Sequence, residues 1–103
     1  MKWYLAGPMT GHDDYNFPAF TFAAKELRSQ GYQIVSPHES EVEGDWEDFL
    51  RADVHTLAEC DGIVLLRGWS KSRGARLELF VASQLGLDMR FFNERTRDLV
   101  DIA

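Results

Sequence analysis

Short apolar runs and helical patterns alternate along this chain. Runs typical of β-strands cover residues 3–6, 32–36, 62–66 and 89–92. Between them, apolar residues recur every three or four positions, the spacing of one helix face, over residues 17–30, 46–59 and 74–85. The run at 62–66 is apolar throughout, as in strands buried on both faces of a parallel sheet. The alternation predicts a three-layer α/β fold, with a parallel sheet of four or five strands flanked by helices.

Turn and cap residues indicate where these elements end. A turn signal at Gly7–Gly11 follows the first strand. Asn16 is expected to cap the first helix, which has Pro18 in its first turn and ends at Gly31. For the last part of the chain, Glu94–Ile102, we expect a short terminal helix.

The length and composition fit one globular domain. The chain has 103 residues, so we expect a single domain over residues 1–103. Its N-terminus lacks the apolar stretch and cleavage site of a signal peptide, and no apolar run is long enough to cross a membrane. Cys60 is the single cysteine, which excludes an internal disulfide and a cysteine-based zinc finger. Together these features lead us to expect a cytoplasmic protein.

Net charge narrows the class of partner. Eleven Lys and Arg residues against seventeen Asp and Glu residues give −6, which disfavours nucleic-acid polymers and anionic membranes as partners. The cations are unevenly spread, however. A segment of ten residues without any acid, which we call the cationic segment, holds Arg67, Lys71, Arg73 and Arg76. Such a cluster in an acidic chain predicts a small anionic ligand.

Two predicted loops lie where α/β folds bind ligands, outside the carboxyl ends of the strands. They are Gly7–Gly11 and Arg67–Gly74, and the second leads into a helix N-terminus. Backbone N–H groups there, with Ser70, Ser72 and Arg73, would suit a phosphate. Glycine-rich turns are also ordinary in α/β proteins, and neither loop has the spacing of a P-loop or of G-x-G-x-x-G.

Two carboxylates fall within apolar helix faces. Asp53 lies between Leu50 and Leu57 in the apolar stripe of the second helix, and Glu78 shares the face of Ala75 in the third. Acids turned toward a core are usually partnered, and each alone would most simply be a structural acid. Because the two helices flank the same predicted strand, a shared cleft with one nucleophile and one acid/base is the alternative.

Other candidate residues carry weaker signals. Tyr4 is a core aromatic by position, although its phenol could reach a cleft at the strand end. Trp69 in its loop could stack on a nucleobase or pack on a neighbouring subunit. The three histidines, His12, His38 and His55, lack metal-ligand spacing, so no metal site is expected.

The motifs together resemble the nucleoside 2-deoxyribosyltransferase family, which includes deoxynucleoside 5′-monophosphate N-glycosidases. The resemblance is carried by Tyr4–Met9, by Asp53 with Asp61 eight residues later, and by Ser72–Glu78. The string Ala6–Gly11 and the motif Gly68-Trp69 are closer still to a small bacterial and phage branch of unknown function. The resemblance covers the chain to about Met89 and implies a flavodoxin-like fold.

The resemblance also implies roles for individual residues. Glu78 matches the nucleophile that attacks C1′ of deoxyribose, Asp53 the acid that assists base departure, and Tyr4 the residue that orients the nucleophile. Ser72 and Gly74 match phosphate-contacting positions. No cofactor or metal is implied. With the loop candidates, the expected substrate-binding and phosphate-binding residues are Gly7, Pro8, Met9, Thr10, Gly11, Trp69, Ser72, Arg73, Gly74 and Arg76.

This sequence departs from the family pattern in three respects. Pro8 stands where the monophosphate hydrolases carry serine, and Arg76 replaces a glycine, where it would either contact phosphate or obstruct the pocket. The chain is also shorter at its C-terminus than the transferases, which complete their sites with a neighbouring subunit. By resemblance we expect a homodimer or higher homo-oligomer, which light scattering would test.

The resulting expectation is an N-glycosidase that hydrolyses a 2′-deoxynucleoside 5′-monophosphate to free base and 2-deoxyribose 5-phosphate. The cationic segment favours a phosphorylated substrate over a free nucleoside. Base exchange between nucleosides and a non-catalytic module that binds a nucleotide or NAD derivative are the alternatives, with NAD glycohydrolysis a more distant one.

Overall fold

The computed structural model describes residues 1–101 as five strands and three main helices. The strands are β1 (Lys2–Ala6), β2 (Gln33–Val35), β3 (Gly62–Leu65), β4 (Asp88–Asn93) and β5 (Asp98–Asp101). The helices are α1 (Phe17–Ser29), α2 (Trp46–Ala58) and α3 (Arg73–Gln84). Within residues 1–101, none of the helices has the length and apolar character needed to cross a membrane.

The strands form one sheet in the order β2-β1-β3-β4-β5. The first four strands are parallel, and β5 runs antiparallel to β4. This is the strand order of flavodoxin-like folds, in which β1 and β3 are neighbours although α1, β2 and α2 separate them in sequence. The predicted fold is therefore confirmed, and the apolar run at 62–66 forms the buried central strand with Leu66 just beyond it.

Helices cover both faces of the sheet, and β1 contributes side chains to each face. Trp3 and Leu5 belong to the apolar cluster beneath α1, whereas Tyr4 and Ala6 belong to the cluster beneath α2 and α3. Alternation along the strand is the cause, since successive side chains of a strand point to opposite faces. The phenol of Tyr4 is thereby directed to the same side of the sheet as the two helices that carry Asp53 and Glu78.

The predicted terminal helix over Glu94–Ile102 is wrong. The chain turns after β4 and returns as β5, and Ile102 lies outside the described residues. Asn93 drives the turn: its side-chain oxygen accepts hydrogen bonds from the backbone N–H groups of Arg95 (2.9 Å) and Thr96 (3.2 Å). Leu99 then packs against the core beneath α1. Local turn chemistry and strand pairing thus prevail over the weak helical pattern.

The start of α1 also differs from the expectation. Asn16 occupies the cap position but adopts a left-handed conformation and forms no side-chain cap hydrogen bond. Asp14 and Tyr15 before it are left-handed as well, so the chain enters the helix through a left-handed turn. In α2, by contrast, Asp45 and Asp48 form a reciprocal capping box.

A substitution at Gly62 tests how closely β1 and β3 pack. A Cβ atom at Gly62 would lie 2.5 Å from the ring of Trp3, whereas one at Gly74 would meet nothing within 4 Å. We expect Gly62→Ala to destabilise the fold by about 1–3 kcal/mol and to lower Tm by about 4–8 °C per kcal/mol. Gly74→Ala is the matched control and should leave Tm unchanged or slightly higher, since alanine is the better helix former. An unchanged Tm for Gly62→Ala in thermal unfolding would contradict this packing.

Candidate active site

A buried tyrosine and a buried glutamate form the centre of the site. Tyr4 on β1 is fully buried, and Glu78 on α3 is only 5% exposed. The Tyr4 hydroxyl donates a hydrogen bond to Oε2 of Glu78 at 2.5 Å. Glu78 shares the inward face of α3 with Ala75 and Ala82, as the helical spacing predicted. The hydrogen bond gives this carboxyl group its partner inside an otherwise apolar layer.

Burial shifts the proton affinity of this pair. Desolvation, which disfavours the charged carboxylate, raises the pKa of Glu78 to about 8. The Tyr4 hydrogen bond acts in the opposite direction, and the charge of Asp53 adds to the increase. The pKa of Tyr4 is itself raised, chiefly by burial and then by the charges of Glu78 and Asp53. At neutral pH the phenol is therefore a hydrogen-bond donor.

Asp53, on the neighbouring helix α2, is the third residue of the site. It is half-buried on α2, and burial raises its pKa to about 6, while the Tyr4 hydroxyl lowers it by a smaller amount. Between about pH 6 and 8, Asp53 and Glu78 together therefore hold one proton and one negative charge. A pair that combines an ionised and a protonated carboxyl group can supply a nucleophile and an acid.

The two loops at the carboxyl edge of the sheet contact each other. The Leu66 N–H donates to the carbonyl of Ala6 at 2.8 Å, and a Cβ atom on Gly7 would lie 2.9 Å from Cβ of Leu66. Gly68 adopts a left-handed φ of +87°, and its missing side chain leaves room for the ring of Pro8. Pro8 is buried, so its ring joins the two loops where a serine would offer a hydroxyl.

The remaining residues of the first loop separate into packed and exposed positions. Met9 is half-buried against the core beneath α1. Thr10 and Gly11 are exposed. The predicted binding loop therefore offers Thr10 and the backbone of Gly11 to a ligand, whereas Met9 contributes to packing.

The cationic segment runs into the N-terminus of α3. Ser72 caps this helix, and its hydroxyl oxygen accepts a hydrogen bond from the Ala75 N–H at 3.2 Å. Arg76 turns back and donates to the carbonyl of Ser70 at 3.2 Å. Gly74, in the first turn, has open space where a side chain would extend. The segment thus presents a helix N-terminus with positive charge beside it, a combination suited to an anion.

The aromatic residues near this segment have different surroundings. Trp69 is half-buried and packs on Phe91, with ring centroids 6.2 Å apart, so its ring contributes to the core beneath α3. Trp46 lies against Arg73, whose guanidinium carbon is 4.1 Å from the centroid of the indole ring. Trp46 was not predicted as a site residue, because it fits the apolar stripe of α2 and its partner is far away in sequence.

His38 occupies a position apart from the carboxyl groups. Its ring hydrogen-bonds to the hydroxyl groups of Ser36 and Thr21 and packs against Phe17 and Phe20, linking α1 to the end of β2. Burial lowers the pKa of His38. Within residues 1–101, no group of three His, Cys, Asp or Glu side chains is arranged to hold a metal ion.

A family model covers most of the chain. The model described as "Domain of unknown function (DUF4406)" matches residues 1–91. The chain belongs to this DUF4406 family. A search of curated proteins finds no match to this DUF4406 protein.

Solved structures with the same fold match this DUF4406 chain. Each match covers a larger share of this chain than of the solved structure's own chain. The structure described as "2-desoxiribosyltransferase from Leishmania mexicana" matches with a TM-score of 0.71 and 20% identity, over 88% of this chain and 63% of its own. A 2-deoxyribosyltransferase from Bacillus psychrosaccharolyticus matches with a TM-score of 0.69 and 25% identity, over 89% of this chain and 72% of its own. The DUF4406 chain therefore spans about two thirds of the length of these structures.

The buried carboxyl group of this DUF4406 protein gives a stability prediction. The pKa of Glu78 is about 8 in the folded protein against an ordinary value of 4.5, so the folded state binds more protons between these values. The contribution of Glu78 to stability therefore falls as pH rises from about 4.5 to about 8. We expect the Tm of Glu78→Gln relative to wild type to increase over that range by at least about 4 °C and to level off above it.

Glu41→Gln is the control, since it removes an exposed carboxylate from the loop before α2. Thermal unfolding of the three proteins from acidic to alkaline pH makes the comparison. A constant difference in Tm between Glu78→Gln and wild type would show that Glu78 titrates as an exposed group does.

Proposed function

We propose that this protein hydrolyses the N-glycosidic bond of a 2′-deoxynucleoside 5′-monophosphate, through a covalent intermediate on Glu78. The products would be the free nucleobase and 2-deoxyribose 5-phosphate. The observation that carries the proposal is the buried Tyr4–Glu78 hydrogen bond beside Asp53, between a flavodoxin-like sheet and the two helices on one of its faces. It supplies two carboxyl groups of different proton affinity, one of which is fixed by a hydrogen bond, and glycosidic bond cleavage requires such a pair.

The names of the matched structures support chemistry at a deoxyribosyl group. Both are described as 2-deoxyribosyltransferases, and the second also as a biocatalyst for the synthesis of nucleosides. This chain spans only part of their length, so the activity in their names is a proposal for this protein.

In the first step, a carboxylate oxygen of Glu78 attacks C1′ of the sugar. The C1′–N bond breaks, its electron pair passes to the base nitrogen, and Asp53 donates a proton to the departing base. Tyr4 keeps the carboxylate in place through its hydroxyl, which donates to Oε2. The result is a glycosyl ester on Glu78 and a free base.

Water resolves the ester in the second step. Asp53, now ionised, accepts a proton from the water molecule as the water oxygen bonds to C1′. The bond between C1′ and the Glu78 oxygen breaks, and its electron pair returns to the carboxylate. Asp53 is again protonated, so each cycle consumes one water molecule and restores both residues.

The pKa order of the two carboxyl groups requires one further step. A pKa of about 8 for Glu78 against about 6 for Asp53 places the shared proton on Glu78, but attack needs it on Asp53. A substrate that excludes water from half-buried Asp53 raises its proton affinity. Positive charge developing at C1′ favours the ionised form of Glu78. Both effects act in the direction that the reaction needs.

Charge near the site supports a phosphorylated substrate. Among the expected phosphate-binding residues, Ser72 caps the N-terminus of α3, and Arg73 and Gly74 are in its first turn. The guanidinium group of Arg73 lies over the ring of Trp46. Arg76 hydrogen-bonds to Ser70 and so supplies charge at the edge of the segment. A helix N-terminus with adjacent arginine side chains favours a phosphate dianion over a neutral hydroxyl.

Product analysis tests the proposal. Incubation with a panel of deoxynucleoside monophosphates should release free base and 2-deoxyribose 5-phosphate, measured by chromatography. Glu78→Gln should lower the rate by about 10³-fold or more, because it removes the nucleophile. Glu59→Gln, at the far end of α2, is the matched control and should retain the wild-type rate.

Other outcomes separate the alternatives. Base exchange, which the names of the matched structures favour, predicts a new nucleoside when a free acceptor base is added and little hydrolysis without one. A binding module predicts a higher Tm with ligand but no product. Absence of product with every nucleotide, with and without acceptor base, would rule out the enzyme.

A further inference from the structure

A second cleft lies at the carboxyl edge of the sheet, on the face opposite to the Tyr4–Glu78 pair. The loops after β1 and β3, the start of α1 and the end of β4 surround it. Leu66 and Phe92, which line it, belong to the apolar cluster beneath α1, whereas Tyr4 belongs to the cluster beneath α2 and α3. The cleft has a volume of about 430 Å³, which is in the range of small-molecule sites. Neither step of the proposed reaction uses it.

The inner wall of this cleft is apolar and partly aromatic. Leu66 and Phe92 are buried, and Phe22 on α1 is 37% exposed. The rings of Phe22 and Phe92 meet edge to face, with centroids 6.0 Å apart. Ala19, one turn before Phe22 on α1, lines the cleft with a methyl group alone. Because aromatic rings pack well on aromatic and aliphatic side chains, this wall suits a flat ring.

Polar side chains with unused hydrogen-bonding groups line the rest of the cleft. Asn16 is half-buried there, and three exposed side chains accompany it: His12, Arg67 and Glu94. In the part of the chain that the structure describes, these four side chains form no ion pair and no hydrogen bond. Asn93, the neighbour of Glu94, by contrast accepts two hydrogen bonds through its side chain. The cleft therefore combines an apolar wall with several polar groups free to bind a ligand.

The left-handed turn before α1 brings two of these polar side chains to the cleft. Asp14, Tyr15 and Asn16 have φ between 50° and 61°, a conformation that side chains disfavour. The Tyr15 N–H donates to the carbonyl of His12 at 3.0 Å and so closes the turn. Asn16 does not use its side chain to cap α1. The unfavourable backbone thus leaves the Asn16 amide and the His12 ring available at the cleft.

The polar groups define the chemistry of a matching ligand. An ionised Glu94 only accepts hydrogen bonds, Arg67 only donates them, and the amide of Asn16 does both. The charges of Arg67 and Glu94 are opposite, and Glu94 would repel a phosphate or a carboxylate. A neutral ligand with donors and acceptors on its edge satisfies all three side chains, while its ring packs on the apolar wall.

We propose that this cleft is a second binding site, which takes a neutral, planar heterocycle with hydrogen-bond donors and acceptors on its edge. Free pyrimidine and purine bases belong to this class. Phe22 supplies the packing surface, and Asn16, Arg67 and Glu94 bind the edge of the ring. Since the cleft and the Tyr4–Glu78 pair lie on opposite faces of the sheet, the inference does not depend on the proposed reaction.

Titration of isotope-labelled protein, followed through its amide NMR signals, locates the ligand and needs no turnover. Uracil, cytosine and hypoxanthine are the probes. The signals of Ala19, Phe22 and Gly68 should shift with at least one of them, with a Kd of about 10 μM to 1 mM. Dihydrouracil keeps the amide groups of uracil but loses the aromatic ring, so it should bind about 3- to 10-fold more weakly than uracil. Glu78→Gln should show the same shifts with the same Kd, which separates this cleft from the proposed active site.

Variants of the lining residues test which groups hold the ligand. Ala19→Leu fills the cleft and should abolish the shifts. Arg67→Gln and Glu94→Gln change exposed side chains, so they should fold normally and raise Kd by about 3- to 10-fold each. Arg95→Gln removes an exposed cation that lies next to Glu94 but does not line the cleft, and it should leave Kd unchanged. If Ala19→Leu does not fold, Arg67→Gln and Glu94→Gln decide.

Any of four results would overturn the inference. The first is the absence of shifts at Ala19, Phe22 and Gly68 with every probe. The second is a set of shifts confined to the surroundings of Glu78 and lost in Glu78→Gln. The third is a Kd that stays the same in both Arg67→Gln and Glu94→Gln, or that rises as much in Arg95→Gln. The fourth is equal affinity for uracil and dihydrouracil.

Discussion

The hydrogen bond between Tyr4 and Glu78 allows a carboxyl group to lie inside an apolar layer. Without a partner, burial of this group would cost several kcal/mol. The phenol is held by the central part of the sheet, and the carboxyl group by a helix that packs on it. The site is therefore built into the core of the fold, and its geometry depends on how β1 and α3 pack.

The parallel sheet explains why these groups meet. The side chains of β1 alternate between two apolar clusters, so Tyr4 faces α2 and α3 while Trp3 and Leu5 face α1. Gly62 allows the Trp3 ring to approach the adjacent strand closely. At the carboxyl edge, Pro8 packs against Gly68, so the loops that follow β1 and β3 hold each other. β1 and β3 are therefore closely packed, and so are the loops that follow them.

Sequence patterns predicted the parts of this arrangement that depend on local periodicity. The inward positions of Glu78 and Asp53 followed from helical spacing, and the fold class followed from the alternation of strands and helices. The Tyr4–Glu78 contact spans 74 residues, so the resemblance to a known family indicated it where periodicity could not. The Arg73–Trp46 stack was not predicted, because each residue alone fits an ordinary helix start. The terminal helix was wrong because Asn93 favours a turn and β4 offered an edge for pairing.

The central claim is that Glu78 forms a covalent bond to the sugar, and rapid acid quenching followed by mass spectrometry tests it most directly. Wild-type protein mixed with a deoxynucleoside monophosphate should gain the mass of the substrate less its free base. Peptide mapping should place that mass on the peptide containing Glu78, and Glu78→Gln should gain none. Release of base with no adduct at any time point, or with the adduct on another residue, would contradict the account.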